Sequence, residues 1–187
     1  AKLAIADLLR DSPVSCDVLA SKTGVHPESL FRTLRALAIV GVFSEVAPGE
    51  FALTPAAALL QSGTPNSMRA LAIMYAEEQY RAWGEMLYSV RTGRPAFERQ
   101  FGMDVFEYFV QNPEAGAVFN EAMTGLTSQV ADALANAYDF SGFETIVDIG
   151  GNRGTVIAAI LRRYPSAQGI LFDRPNVVAS AAEYLAE

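Results

Sequence analysis

Two carboxylates and a glycine loop are the residues of this sequence whose types and spacing can do chemistry. The stretch Thr145-Ile-Val-Asp-Ile-Gly-Gly-Asn-Arg-Gly-Thr155 reads as an apolar strand carrying one acid, Asp148, and then a loop. In that loop Gly150, Gly151 and Gly154 let the backbone come close to a ligand, and Asn152 is the non-glycine residue that best tolerates a left-handed conformation. A helix from Thr155 to Tyr164 follows, and its free N–H groups favour an anionic group. Ile170-Leu-Phe172 then reads as a second strand with Asp173 at its tip, about twenty residues past the loop, where a carboxylate accepts hydrogen bonds from ribose hydroxyls. An acid near the carboxyl end of a strand buried on both faces is costly unless hydrogen-bonded, so Asp148 is expected to receive loop amides or to face a ligand cation.

Two cofactor classes use this layout. The dinucleotide fingerprint needs glycine at the first, third and sixth loop positions, whereas counting from Gly150 the third is Asn152 and the sixth is Thr155. That disfavours NAD or FAD. S-adenosylmethionine carries no phosphate, so its loop need only fit a methionine backbone, and Asp148 stands where an acid balances the ammonium. No metal site is expected.

The elements that must position these residues fall in three segments. Residues 1–62 read as a winged helix: a helix over Lys2 to Arg10, a second capped by Ser15, and a third opened by His26-Pro27 with Leu30, Leu34, Leu37 and Val40 on one face. A hairpin of Val42 to Val46 and Phe51 to Leu53 about Pro48-Gly49 forms the wing, and Thr54-Pro55 opens one more helix. Residues 63–141 read as helical. Leu71, Tyr75, Ala82, Met86 and Val90 recur on one face of a long helix that Gly93 and Pro95 end. In the next helix Val118, Ala122, Leu126, Val130 and Ala133 form a stripe beside Phe119 and Met123. On spacing alone these are core residues, and two adjacent stripes imply burial on two sides, as in an interlocked dimer. Residues 142–187 hold the strand, loop, helix and strand of the cofactor motif.

Composition bounds the partners. With 51% apolar and 19% charged residues the chain is too apolar to be disordered, and its net charge of −7 disfavours a polyanion such as DNA. Arg32 and Arg35 would be the groove contacts of a DNA-reading third helix, but the wing carries Glu45 and Glu50 where a DNA binder carries basic residues. The apolar runs fall short of the roughly twenty residues of a membrane span, and no leader opens the chain, so a cytoplasmic protein without nucleic-acid or membrane partners is expected. Cys16 is alone and reads as a small buried residue. The absence of Met at position 1 and the helical pattern at Glu187 suggest a sequence that continues at both ends.

The chain resembles the class I S-adenosylmethionine-dependent O-methyltransferases of the caffeic-acid and hydroxyindole type, with bacterial relatives in aromatic polyketide and antibiotic tailoring. The resemblance rests on Leu30-Phe-Arg-Thr-Leu-Arg-Ala-Leu37 through Gly41-Val-Phe43, Leu53-Thr-Pro55, Arg91-Thr-Gly-Arg-Pro-Ala-Phe97, Phe106-Glu-Tyr108, Phe119-Asn-Glu-Ala-Met123, Val147-Asp-Ile-Gly-Gly151 and Phe172-Asp-Arg-Pro175. It implies a mainly α winged-helix dimerisation domain followed by the start of an α/β Rossmann-like methyltransferase domain, truncated, in a homodimer. It further implies cofactor contacts from Gly150, Gly151, Gly154, Asp173, Phe106 and Thr127. Phe119 and Met123 match a pair that sandwiches an aromatic hydroxyl acceptor, with Met74, Tyr75 and Trp83 as weaker members of that pocket. Two departures stand out. Relatives commonly have a third consecutive glycine where Asn152 stands. Their general base is a histidine in the carboxyl-terminal half, whereas the only histidine here is His26, so no catalytic residue is expected within this chain. The alternatives are a non-catalytic methyltransferase-like dimerisation or regulatory protein and a winged-helix DNA-binding regulator.

Overall fold

The computed structural model describes residues 1–64 and 66–185, except the side chains at 180, 183 and 184; residues 65, 186 and 187, which the expected segments include, lie outside the described residues. The chain divides into two compact units, Ala1–Ile73 and Met74–Glu187.

The first unit has the winged-helix order. α1 (Ile5–Leu8) is shorter than the expected Lys2 to Arg10, because Ala4 caps it in a left-handed conformation (φ 51°) that a helix cannot extend through. β1 (Val14–Ser15), unforeseen because two residues carry no periodicity, pairs with β3 (Glu50–Leu53), which pairs in turn with β2 (Phe43–Ala47), all antiparallel. Between them lie α2 (Cys16–Thr23), whose first turn is capped by Ser15, and α3 (Pro27–Ile39), where His26 Nδ1 accepts the Ser29 N–H at 3.4 Å. Thr54 Oγ1 opens α4 (Pro55–Ala58) by accepting the Ala57 N–H and donates back to the Val42 carbonyl at 2.7 Å, locking helix to wing. Leu9, Leu19, Leu34 and Phe51 are fully buried at the centre, each worth about 1.5–3 kcal/mol in burial, and Cys16 is buried beside them. Val40 departs from its expected place on the α3 face: it follows the last helical residue and is 71% exposed.

The long helix expected from Leu71 to Val90 is three helices: α5 (Arg69–Ala76), which spans the division between the units, α6 (Glu78–Gly84) and α7 (Met86–Thr92). Glu77 (φ −106°, ψ −109°) and Glu85 (φ −98°, ψ 18°) leave the helical region. The second break turns α7 toward α8 (Ala96–Phe101), where Arg99 pairs with Glu85 at 3.2 Å and lies 4.6 Å over the Tyr88 ring. Of the expected stripe Ala82 is buried, while Tyr75, Met86 and Val90 are exposed.

Asp104 caps α9 (Val105–Gln111) by accepting the N–H groups of Phe106 and Glu107 on Oδ1. α10 (Pro113–Ala137) follows after Asn112. Its stripe is corrected: Ala122 is buried, but Leu126, Val130 and Ala133 are exposed. Residues four apart drift about 40° per step around a helix of 3.6 residues per turn, so a stripe of that spacing leaves the buried face within three steps. The packed face farther along is instead Ala131 and Ala135, which meet Ala159 and Ile160 of α11 (Thr155–Arg163). α11 connects two parallel strands, β4 (Thr145–Ile149) and β5 (Gln168–Phe172), with Asp148 opposite Leu171, and α12 (Pro175–Leu185) follows. The first of these strands was expected to be buried on both faces. Here Val147, Ile149, Ile170 and Phe172 are at least half exposed, and Ile146 packs on the opposite side against the Ala131–Ile160 cluster. Among the described residues no helix is long and apolar enough to cross a membrane.

Candidate functional site

Asp148 lies two residues after Ile146 on β4, so its side chain shares the face packed toward α10 and α11. Burial holds its carboxyl above the usual aspartate range; the Ile157 N–H partly offsets this, and the nearby Asp173 charge adds to it. Its Oδ2 is buried without a hydrogen-bond partner. Gly151 is what admits that carboxylate: a Cβ there would stand 2.5 Å from Asp148 Cγ and 2.5 Å from Leu171 Cδ1.

The loop is held open by left-handed residues on either side of Gly151, Gly150 at φ 73° and Asn152 at φ 52°. Gly150 extends the ladder by donating to the Phe172 carbonyl at 2.7 Å. Asn152 donates its N–H to Asp173 Oδ2 at 2.8 Å, and Arg174 donates its own to Asp173 Oδ1 at 2.7 Å. The expected tolerance of Asn152 for this conformation is thus used, and its side chain reaches across to α10, where Nδ2 donates to the Asn120 carbonyl at 3.3 Å.

These groups line a cleft of about 1050 Å³ within the second unit. Of the expected site residues, Asp148, Gly150, Gly151 and Asp173 come from the strand ends and loop, while Phe106, Phe119, Met123 and Thr127 come from α9 and α10. Phe119 stacks on Phe109 at 4.7 Å between centroids and meets Phe106 edge-on at 6.2 Å; the Arg174 guanidinium lies 4.7 Å over the Phe106 ring. One side of the cleft is therefore carboxylate and backbone amide, and the other is aromatic and thioether.

Four expected residues lie elsewhere. Gly154 begins α11 at φ 80° and packs against Leu171 and Leu185, which a Cβ would approach to 3.3 Å, without lining the cleft. Met74 is buried, and Tyr75 and Trp83 are 53% and 63% exposed; none of the three lines the cleft. Conversely, Phe109, Asn120, Arg153 and Arg174 line it and were not singled out. The runs Phe106-Glu-Tyr-Phe109 and Asp173-Arg174-Pro175 held the signal for two of them. His26 caps α3 in the first unit and is exposed there, so it is no part of this cleft. Arg35 is engaged by Glu45 at 3.6 Å and lies over the Phe31 ring at 5.6 Å.

Known proteins resemble this chain in sequence and fold. Residues 83–187 match the O-methyltransferase domain and residues 1–63 the O-methyltransferase dimerisation domain. A phenazine O-methyltransferase, PhzM of Lysobacter antibioticus, is 54% identical over 187 residues, covering 100% of this chain and 55% of the relative. The crystal structure of LaPhzM superposes with a TM-score of 0.96 at 54% identity over 99% of this chain and 56% of that one. CalO1, a methyltransferase in calicheamicin biosynthesis solved in its SAH-bound form, gives 0.78 at 35% identity over 95% of this chain and 54% of that one. The chain spans about half the length of the curated relatives it matches. On its sequence, its fold and these matches, the chain belongs to the O-methyltransferase family, with a winged-helix dimerisation domain followed by part of the Rossmann-like methyltransferase domain.

Proposed function

We propose that this protein is an S-adenosylmethionine-dependent O-methyltransferase that methylates a hydroxyl of a small aromatic metabolite in secondary metabolism, working as a homodimer in the cytoplasm. The observation that carries the reading is a single cleft with Asp148 and Asp173 on one side and Phe106, Phe109 and Phe119 on the other. In this reading residues 1–62 form the dimerisation domain, residues 63–141 complete the dimer contact and line the acceptor pocket, and residues 142–187 begin the cofactor domain. The exposed Tyr75, Trp83, Met86 and Val90 suit a face covered by a second copy.

The residues present fit the cofactor. Asp148 Oδ2 is a buried acceptor without a donor, which an ammonium satisfies. Each oxygen of Asp173 already accepts one backbone N–H and keeps a lone pair for a ribose hydroxyl. When bound, S-adenosylmethionine supplies a methyl group on a positively charged sulfur, open to in-line attack by an oxygen. This chain's part is orientation: Phe119 and Met123 flank an aromatic ring, and Phe106 and Thr127 border the cofactor side, so the acceptor oxygen is held in line. No histidine lies in the cleft, and we assign this chain no proton-transfer step.

The test is transfer of labelled methyl from S-adenosylmethionine to a panel of phenols and hydroxyphenazines, the latter because a 54% identical relative is named for phenazines. Transfer to at least one hydroxyl supports the reading. Cofactor binding with no transfer to any acceptor would favour a non-catalytic member of the family.

A further inference from the structure

We propose that the side-chain amide of Asn152 is a second acceptor for the ammonium end of the cofactor, beside Asp148, and that it ties the cofactor loop to the helix that holds the acceptor. The inference rests on the cofactor reading above and adds a residue where family members commonly carry glycine.

The orientation of the amide is fixed by chemistry. The group it meets on α10 is the Asn120 carbonyl, which can only accept, so Nδ2 must face it and Oδ1 must face away. Oδ1 is buried and has no partner, in a residue that lines the cleft. Asp148 Oδ2, four positions earlier and lining the same cleft, is in the same state. A buried acceptor without a donor costs free energy that a ligand N–H recovers. Two such acceptors, one charged and one neutral, suit a group that is cationic and carries several N–H donors, which is what a primary ammonium is. Arg153 lines the cleft too, but neither acceptor has a partner, so its guanidinium satisfies neither of them.

The backbone supports the same assignment. At φ 52° a side chain is strained, and glycine would remove that strain. The asparagine side chain instead makes a contact that glycine cannot, one residue from Phe119 and three from Met123 on α10. Filling Oδ1 with a ligand donor therefore fixes the amide that in turn fixes the acceptor-lining turn of α10.

The experiment is calorimetric titration of wild type, Asn152→Gly and Asn152→Ala with two ligands. S-adenosylhomocysteine carries the amino-acid end; 5′-methylthioadenosine keeps the nucleoside and thioether and lacks it. Asn152→Gly should weaken S-adenosylhomocysteine roughly tenfold or more, the usual consequence of losing a hydrogen bond to a charged group, and leave methylthioadenosine within about twofold. Asn152→Ala, which keeps the Cβ and removes both amide atoms, should weaken the homocysteine ligand as the glycine variant does, and it decides the matter alone if the glycine variant does not fold. Unchanged S-adenosylhomocysteine affinity in Asn152→Gly or Asn152→Ala, or equal weakening of both ligands, would overturn the proposal. A wild-type protein that binds no S-adenosylhomocysteine would instead overturn the cofactor reading, and this inference with it.

Discussion

Substituting alanine for Gly151 puts one methyl group where the structure has no space for it. The added Cβ would lie 2.5 Å from Asp148 Cγ, 2.6 Å from Asp148 Oδ2 and 2.5 Å from Leu171 Cδ1, against about 3.5–4.0 Å for carbon atoms at rest. Something must move by about 1 Å. Leu171 Cδ1 is the end of a flexible side chain and can rotate away, but Asp148 is held by its strand and by the Ile157 N–H, and its carboxylate is partly buried. Overpacking of this kind costs about 1–3 kcal/mol, which lowers the unfolding temperature by roughly 5–15 °C for a unit of about a hundred residues. The assay is thermal unfolding of Gly151→Ala in two backgrounds, wild type and Asp148→Ala. The second removes the Cγ and Oδ2 atoms the methyl would strike, so the penalty should shrink there to what Leu171 alone imposes. A penalty of the same size in both backgrounds, or none in wild type, would refute the claim that Gly151 is glycine because Asp148 lies against it.

Other perturbations read the remaining parts of the site. Asp173→Ala should weaken S-adenosylhomocysteine binding by about 1–3 kcal/mol, since it removes the ribose acceptor and releases the Asn152 and Arg174 N–H groups; unchanged affinity in a titration sinks the ribose assignment. The folded-state pKa of Asp148 is raised, mainly by burial, so stability from its protonation is present below the unfolded value and is lost as pH rises through the folded one. Asp148→Asn should therefore be more stable than wild type near neutral pH without ligand, with the advantage fading toward acid, while binding S-adenosylhomocysteine more weakly; an unfolding series that shows no such convergence contradicts the burial argument. Duplex DNA should show no salt-sensitive retardation with this protein, because the net charge is −7 and Arg35 is engaged by Glu45 and Phe31; a retarded band that salt removes would restore the regulator reading.

The parts of the fold with local causes were legible from residues alone. Ser15, His26-Pro27 and Thr54-Pro55 announce helix starts through capping and proline geometry, and each begins a helix where expected. The glycine loop shows through residue type, and Asn152 takes the left-handed conformation for which it was singled out. Periodicity misled where the helical pattern continued through a break. Nothing in Ala76-Glu77-Glu78 marks a chain reversal from helical dihedrals, and Gly84 was the only local sign of the second interruption. The α10 stripe failed because a row four residues apart is inclined to the helix axis, and the face that packs on α11 was chosen by tertiary contact among alanines. At the site, Phe109 and Arg174 escaped notice because their roles depend on partners from other elements, Phe119 and Phe106, which no spacing within one element reveals. The Asn152 to Asn120 hydrogen bond joins residues far apart in sequence and is visible only once α10 and the loop are brought together.

The central claim is that the cleft between the glycine loop and α10 is the S-adenosylmethionine site. The structure of this protein crystallised with S-adenosylhomocysteine tests it most directly. The account predicts density in that cleft, with the ribose hydroxyls on Asp173, the ammonium beside Asp148 and Asn152, and the sulfur turned toward Phe119 and Met123. Ligand density elsewhere on the protein, or an adenosine end at Asp148 and an amino-acid end at Asp173, would contradict it.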